Sequence, residues 1–114
     1  MVTLSPASIV IMRFPFSDLS GSKLRPAVVL ANTGGDDWLL CQITSNSYRD
    51  PAAVRLTKAS LKRGTLSKVS FVRPMKLFTA NKSLISKRVA ILKDEVFKAI
   101  LSATIKGLQK NMPK

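Results

Sequence analysis

The chain has 114 residues, 46% of them hydrophobic and 22% charged; this fits one folded domain (residues 1–114) and excludes a disordered polyelectrolyte. Lysine and arginine number 19 against 6 acids, a net charge of +13, and the absence of histidine excludes imidazole catalysis. The single cysteine, Cys41, can form no internal disulfide and has no base beside it to make a reactive thiolate, so zinc and cysteine-nucleophile chemistry both lack support.

Ile9-Val10-Ile11-Met12-Arg13-Phe14 is β-branched at its start and predicts a first strand, ended by Pro15. Pro6 and Arg13 interrupt the apolar residues of the N-terminus, a pattern that fits neither a signal peptide nor a membrane span, and a cytoplasmic location is expected. Residues 15–24 hold Ser17, Asp18, Ser20, Gly21 and Ser22, which favour turns, and predict a loop of about ten residues, longer than most connections. Pro26 pushes Arg25 toward extended backbone and so holds it at the entry of the strand Ala27–Ala31.

Asn32-Thr33-Gly34-Gly35-Asp36 reads as a turn and Trp38–Ile43 as a returning strand, which together predict a hairpin. Antiparallel pairing around that turn makes Arg25 and Thr44 neighbours. After a polar loop at 46–51, Ala53–Leu56 predicts a short strand and Gly64 a turn. Val69–Val72 and Met75–Phe78 predict two strands, with Pro74 implying an edge or bulge between them. Residues 80–85 predict a short helical turn and Arg88–Leu92 a closing strand.

From Asp94 the apolar period becomes helical. Phe97, Leu101, Thr104 and Leu108 form a stripe flanked by Val96, Ile100 and Ile105, which predicts an amphipathic terminal helix packed on the sheet. Asp94 and Glu95 in its first turn, with Lys106 and Lys110 near its end, complement the helix dipole. Short strands followed by one helix predict a mainly β fold: a small, strongly bent antiparallel sheet or barrel with a C-terminal α-helix laid against it.

Between Arg49 and Arg88 eleven bases face one acid, Asp50. A cationic surface of this kind attracts nucleic acid or an acidic protein segment; a solvated basic face is the plainer alternative. The guanidinium fork of Arg25 matches phosphate oxygens, and the Thr44 hydroxyl both donates and accepts, so the two suit phosphodiester chemistry without metal or imidazole. Taken singly, Arg25 reads as a strand-end surface residue and Thr44 as a β-former.

Three blocks carry a resemblance. Phe14-Pro15-Phe16-Ser17-Asp18-Leu19-Ser20-Gly21-Ser22-Lys23-Leu24-Arg25-Pro26-Ala27-Val28-Val29-Leu30, then Cys41-Gln42-Ile43-Thr44-Ser45, then Ser70-Phe71-Val72-Arg73-Pro74-Met75-Lys76-Leu77-Phe78-Thr79 resemble, in order and at compatible spacing, the MazF/PemK family of growth-inhibiting toxins. The likeness covers roughly Ile9 to Leu108. It implies an SH3-like β-barrel with a C-terminal helix, a homodimer, ribosome-independent cleavage of single-stranded RNA without a cofactor, and neutralisation by a cognate antitoxin whose acidic, partly disordered tail lies in the RNA groove. The family's arginine falls on Arg25 and its hydroxyl residue on Thr44, with Ser45 beside it. One departure stands out: many members begin the first strand with Gly-Asp, where this chain has Ala7-Ser8.

The resemblance implies a metal-independent endoribonuclease, in which the RNA's own 2′-hydroxyl attacks phosphorus to leave a 2′,3′-cyclic phosphate and a 5′-hydroxyl. Arg25 would stabilise the charge of the transition state and Thr44 would hold a phosphate oxygen or orient the 2′-hydroxyl; the general base is left open. Phe14, Phe16, Tyr48 and Phe71 offer stacking faces, of which Phe16 and Tyr48, in loops, are the better placed; Lys23, Arg49 and Lys76 are candidate contacts to the RNA backbone. A non-catalytic RNA-binding barrel and a gyrase poison of the same fold are the alternatives.

Overall fold

The computed structural model describes residues 3–14, 24–46 and 49–114. The expected loop at 15–24, and with it Phe16 and Lys23, lies outside the described residues apart from Leu24, as does Tyr48. Among the described residues seven antiparallel strands form one curved sheet, a half-barrel in the order β4-β6-β3-β2-β1-β7-β5, followed by one α-helix. They are β1 (Ser8–Arg13), β2 (Leu24–Gly34), β3 (Asp37–Thr44), β4 (Val54–Leu56), β5 (Leu61–Gly64), β6 (Ser70–Asn81) and β7 (Ile85–Leu92), with the helix α1 over Asp94–Gln109.

Both faces of the central strands are covered, which is why β1 and β2 read as unbroken apolar runs. On one face Ile9, Val28, Leu30, Cys41, Ile43 and Val72 pack with Ile100 of α1, and Val96, Phe97 and Leu101 pack against them. On the other, Val10, Met12, Ala27, Val29 and Leu40 pack with Phe14 and Phe78, whose ring centroids lie 4.8 Å apart. Phe14 is thus a core residue, unavailable for stacking a base. The stripe on α1 is narrower than expected: Ile100 and Thr104 are buried, whereas Ile105 and Leu108 are more than half exposed.

The two strands expected at 69–78 are one strand of 12 residues, β6. Its pairing with β3 slips between Cys41↔Leu77 and Ile43↔Val72, so the bulge absorbs Pro74, whose ring nitrogen cannot join the ladder. The carbonyl of Pro74 is not left unpaired: the buried Thr104 hydroxyl lies 2.9 Å from it and donates. Thr104→Val keeps the volume and strands that carbonyl, at an expected cost of about 1–3 kcal/mol. A thermal midpoint equal to that of the wild type would refute the assignment.

Gly64 belongs to β5 and not to a turn, and β5 itself has no counterpart among the expected elements. The helical turn expected at 80–85 is a short 3-10 segment, Lys82–Leu84, capped by the Asn81 side chain. Ala7 adopts a φ of 75°, in the left-handed region, at the position where the resemblance would place glycine. Ordinary residues lose about 1–2 kcal/mol there. Ala7 is held by two backbone bonds, from its N–H to the Val29 carbonyl and from the Leu92 N–H to its own carbonyl, each 2.9 Å.

Cys41 is buried in the core as expected, and desolvation pushes its thiol up to about 12. Two consequences follow from that burial. Iodoacetamide at pH 8 should spare the folded chain and label the urea-unfolded one. Because only the unfolded thiol ionises as pH rises past its ordinary value, the contribution of Cys41 to stability is complete below about pH 8.5 and declines from there toward pH 12. Rapid labelling of the folded protein would contradict the packing.

Candidate functional site

β2 and β3 are joined by the tight turn at Gly35 and Asp36, and their pairing runs down to Ala27↔Gln42. Continued two residues further along each strand, that register leads Arg25 toward Thr44, and residues directly opposite in an antiparallel pair share a face. On its other side Arg25 pairs with Met12 of β1, so β2 begins earlier than expected and Arg25 is part of the sheet. Pro26 lies between Arg25 and the buried Ala27, fixing the backbone on which the guanidinium projects.

Arg25 and Thr44 line one cleft of about 320 Å³, together with Leu24, Pro26, Gln42, Ser45, Lys68 and Ser70. The Arg25 side chain is exposed and makes no hydrogen bond or ion pair among the described residues. The Thr44 Oγ1 accepts the Asn46 N–H at 3.2 Å, which orients the hydroxyl and leaves its proton to be donated. A forked cation and a hydroxyl donor on one wall can together hold the oxygens of a phosphate, and they are better matched to an oxyanion carrying extra charge.

Of the other residues put forward from sequence, Ser45 lines the cleft. Arg49 and Lys76 are exposed but are not among the described residues lining it; Lys76 sits on β6 near the bulge and Arg49 has a φ of 56°. Phe71, opposite Thr44 on β6, is half-buried. Asp50, the single acid of the basic stretch, is engaged by Arg73, with Nε 3.3 Å from its carboxylate, and caps the Ala52 N–H at 2.9 Å. It therefore offers no carboxylate to the Arg25 cleft.

Three polar residues of the cleft, Gln42, Lys68 and Ser70, were not anticipated. Gln42 lies two residues before Thr44 on the same strand, so alternation alone would have found it. Its Oε1 is buried with no hydrogen-bond partner among the described residues. Lys68 comes from the connection between β5 and β6 and Ser70 opens β6, and nothing in the local sequence ties either to the β2–β3 hairpin.

The arrangement has close counterparts in fold. A mycobacterial endoribonuclease in complex with its cognate antitoxin superposes with a TM-score of 0.73 at 14% identity, covering 97% of this chain and 100% of that one. The MazE-MazF structure from Deinococcus radiodurans gives 0.74 at 18% identity, covering 93% and 96%. The Mycobacterium tuberculosis toxin MazF-mt6 gives 0.70 at 17%, covering 90% and 96%. Identities this low speak for the fold alone. A comparison with curated proteins gives no match. The family model described as PemK-like, MazF-like toxin of type II toxin-antitoxin system matches residues 5–108, nearly the whole chain, and the chain belongs to that family.

Proposed function

We propose that this chain is the toxin of a type II toxin-antitoxin pair and acts as a sequence-selective endoribonuclease on single-stranded RNA. The observation that supports the reading is that Arg25, at the start of β2, and Thr44, at the end of β3, line the same open cleft. The 2′-hydroxyl next to the cut attacks phosphorus and the bond to the 5′-oxygen breaks, giving a 2′,3′-cyclic phosphate and a 5′-hydroxyl. Arg25 neutralises the charge gathered on the non-bridging oxygens, and Thr44 donates to one of them and so fixes the phosphate's orientation. Both roles need fixed donors and no metal ion.

The charge of +13 supports RNA as substrate and an acidic antitoxin segment as inhibitor, each a polyanion. A homodimer in the cytoplasm completes the proposal, in keeping with the family. No helix among the described residues is long and apolar enough to cross a membrane.

The test is incubation of the purified protein with mixed-sequence RNA in EDTA, followed by analysis of the new ends. Discrete fragments whose 5′ ends accept phosphate from a kinase without prior dephosphorylation are expected. Intact RNA, or fragments already bearing 5′-phosphate, would overturn the reading.

A further inference from the structure

The Arg25–Thr44 cleft has a wall that the β2–β3 hairpin does not supply. Lys68 and Ser70 form it, and with Pro26 they also border an adjoining cleft of about 360 Å³ whose lining includes the apolar Ile9, Ile11 and Val89 and a second cation, Lys87. Arg25 and Thr44 border only the first of the two. Lys68 stands at the divide.

The backbone that carries it is fixed at both ends of the connection: the Ser70 hydroxyl donates to the Lys68 carbonyl at 3.1 Å, and the Thr65 N–H donates to the Val89 carbonyl at 3.3 Å. Its side chain is exposed and has no ion-pair partner among the described residues, where Asp50 is taken by Arg73 and Asp94 by Lys62. An anchored backbone with an unengaged ammonium is a point charge held at a defined place on a flexible stem.

We propose that Lys68 binds the phosphate adjacent to the one held by Arg25 and Thr44, so that the nucleoside between the two phosphates lies over the second, apolar cleft. The proposal rests on the reading that Arg25 and Thr44 handle RNA phosphate. The two cations differ in the way the two tasks differ. A fork that fixes orientation serves the reacting phosphate, whereas an ammonium that tolerates several geometries serves its neighbour. Single-stranded nucleic acid carries one charge per nucleotide, and a cation shared between consecutive clefts meets the next charge as the strand passes from one to the other.

The experiment uses an oligonucleotide matching a mapped cut site, made uncleavable by 2′-deoxyribose at the cut nucleotide, with single phosphates replaced in turn by neutral methylphosphonates. For the wild type, neutralising the scissile phosphate or one flanking phosphate should each weaken binding roughly tenfold, as loss of a charge-assisted contact does. Lys68→Met should remove the sensitivity at that flanking phosphate alone, and Lys68→Arg should restore it. The salt dependence of binding by Lys68→Met should be shallower by about 0.7 in log–log slope, the mark of one lost phosphate contact. If Lys68→Met keeps the wild-type pattern at every position, or loses sensitivity at the scissile phosphate itself, the assignment is overturned while the nuclease reading stands. If the wild type cuts no RNA and no cut site can be mapped, both fall together.

Discussion

Arg25→Ala is expected to lower the rate of RNA cleavage by about 100- to 1,000-fold, the loss that follows removal of one preorganised donor to a developing oxyanion. The fold should be indifferent to the change: Arg25 is exposed, no partner among the described residues depends on its side chain, and a surface substitution of this kind shifts stability by about 0.5 kcal/mol or less. Arg25→Lys separates charge from shape, since it keeps the cation and loses the planar fork; a recovery to within tenfold of wild type would mean that charge alone is required. Thr44→Val removes the donor and also the acceptor for the Asn46 N–H, so it should impair cleavage and loosen the turn, whereas Thr44→Ser keeps both functions. Cleavage at the wild-type rate by both Arg25→Ala and Thr44→Val would remove the cleft from the mechanism. The rates are measured on one mapped RNA, with circular dichroism melts as the control for folding.

That this pair could be read from sequence has a specific cause. The turn residues after Thr33 fix where the hairpin closes and Pro26 fixes the backbone after Arg25, which is enough to bring the start of β2 beside the end of β3. The exact partner is not local information: the register slips between Asn32 and Gly34 and again between Val29 and Ala31, and only past both slips does it lead Arg25 toward Thr44. The helix was legible for a similar reason, because a run of sixteen residues with a consistent apolar face and acids in its first turn has few alternatives. Its exact packing was not. Which part of an apolar stripe meets the sheet depends on how the helix is turned against it, and Leu108 is left more than half exposed although Gly107 beside it lies against Met75 of β6.

The elements that escaped are those decided by distant partners. β5 is Leu-Lys-Arg-Gly, with one apolar residue, and it is a strand because Leu61, Arg63 and Gly64 pair with the edge of β7. Pro74 looks like a break between strands until Thr104, thirty residues later, donates to its carbonyl and lets β6 continue through the bulge. Lys68 reads as one more base in a basic stretch. It reaches the Arg25 cleft because its connection joins β5, at one edge of the sheet, to β6, which lies beside β3 on the other side of the β1–β2 centre.

Gly64→Ala should be among the most damaging single substitutions in the chain. Gly64 has a φ of 87°, and a Cβ built on it would overlap the Val89 carbonyl oxygen and stand 2.6 Å from the Ala90 Cα. These neighbours are backbone atoms of β7, which is itself paired to β1, so they cannot yield without disturbing the sheet. Left-handed backbone costs an alanine about 1–2 kcal/mol and forced overpacking a further 1–3, for a total of roughly 2–5 kcal/mol. Gly34 and Gly35 provide the internal contrast: they also have positive φ, yet a Cβ at either meets nothing within 4 Å, so alanine there carries the backbone term alone. Because β5 is an edge strand of four residues, the strain is most cheaply relieved by its detachment from β7, and the connection bearing Lys68 would go with it. Gly64→Ala should therefore lower the thermal midpoint, speed hydrogen exchange at 61–64, and weaken RNA binding, whereas Gly35→Ala should leave the last two unchanged. A Gly64→Ala protein that melts and exchanges like the wild type would show that β5 does not press on β7 as described, and would also withdraw the anchor on which the placement of Lys68 depends.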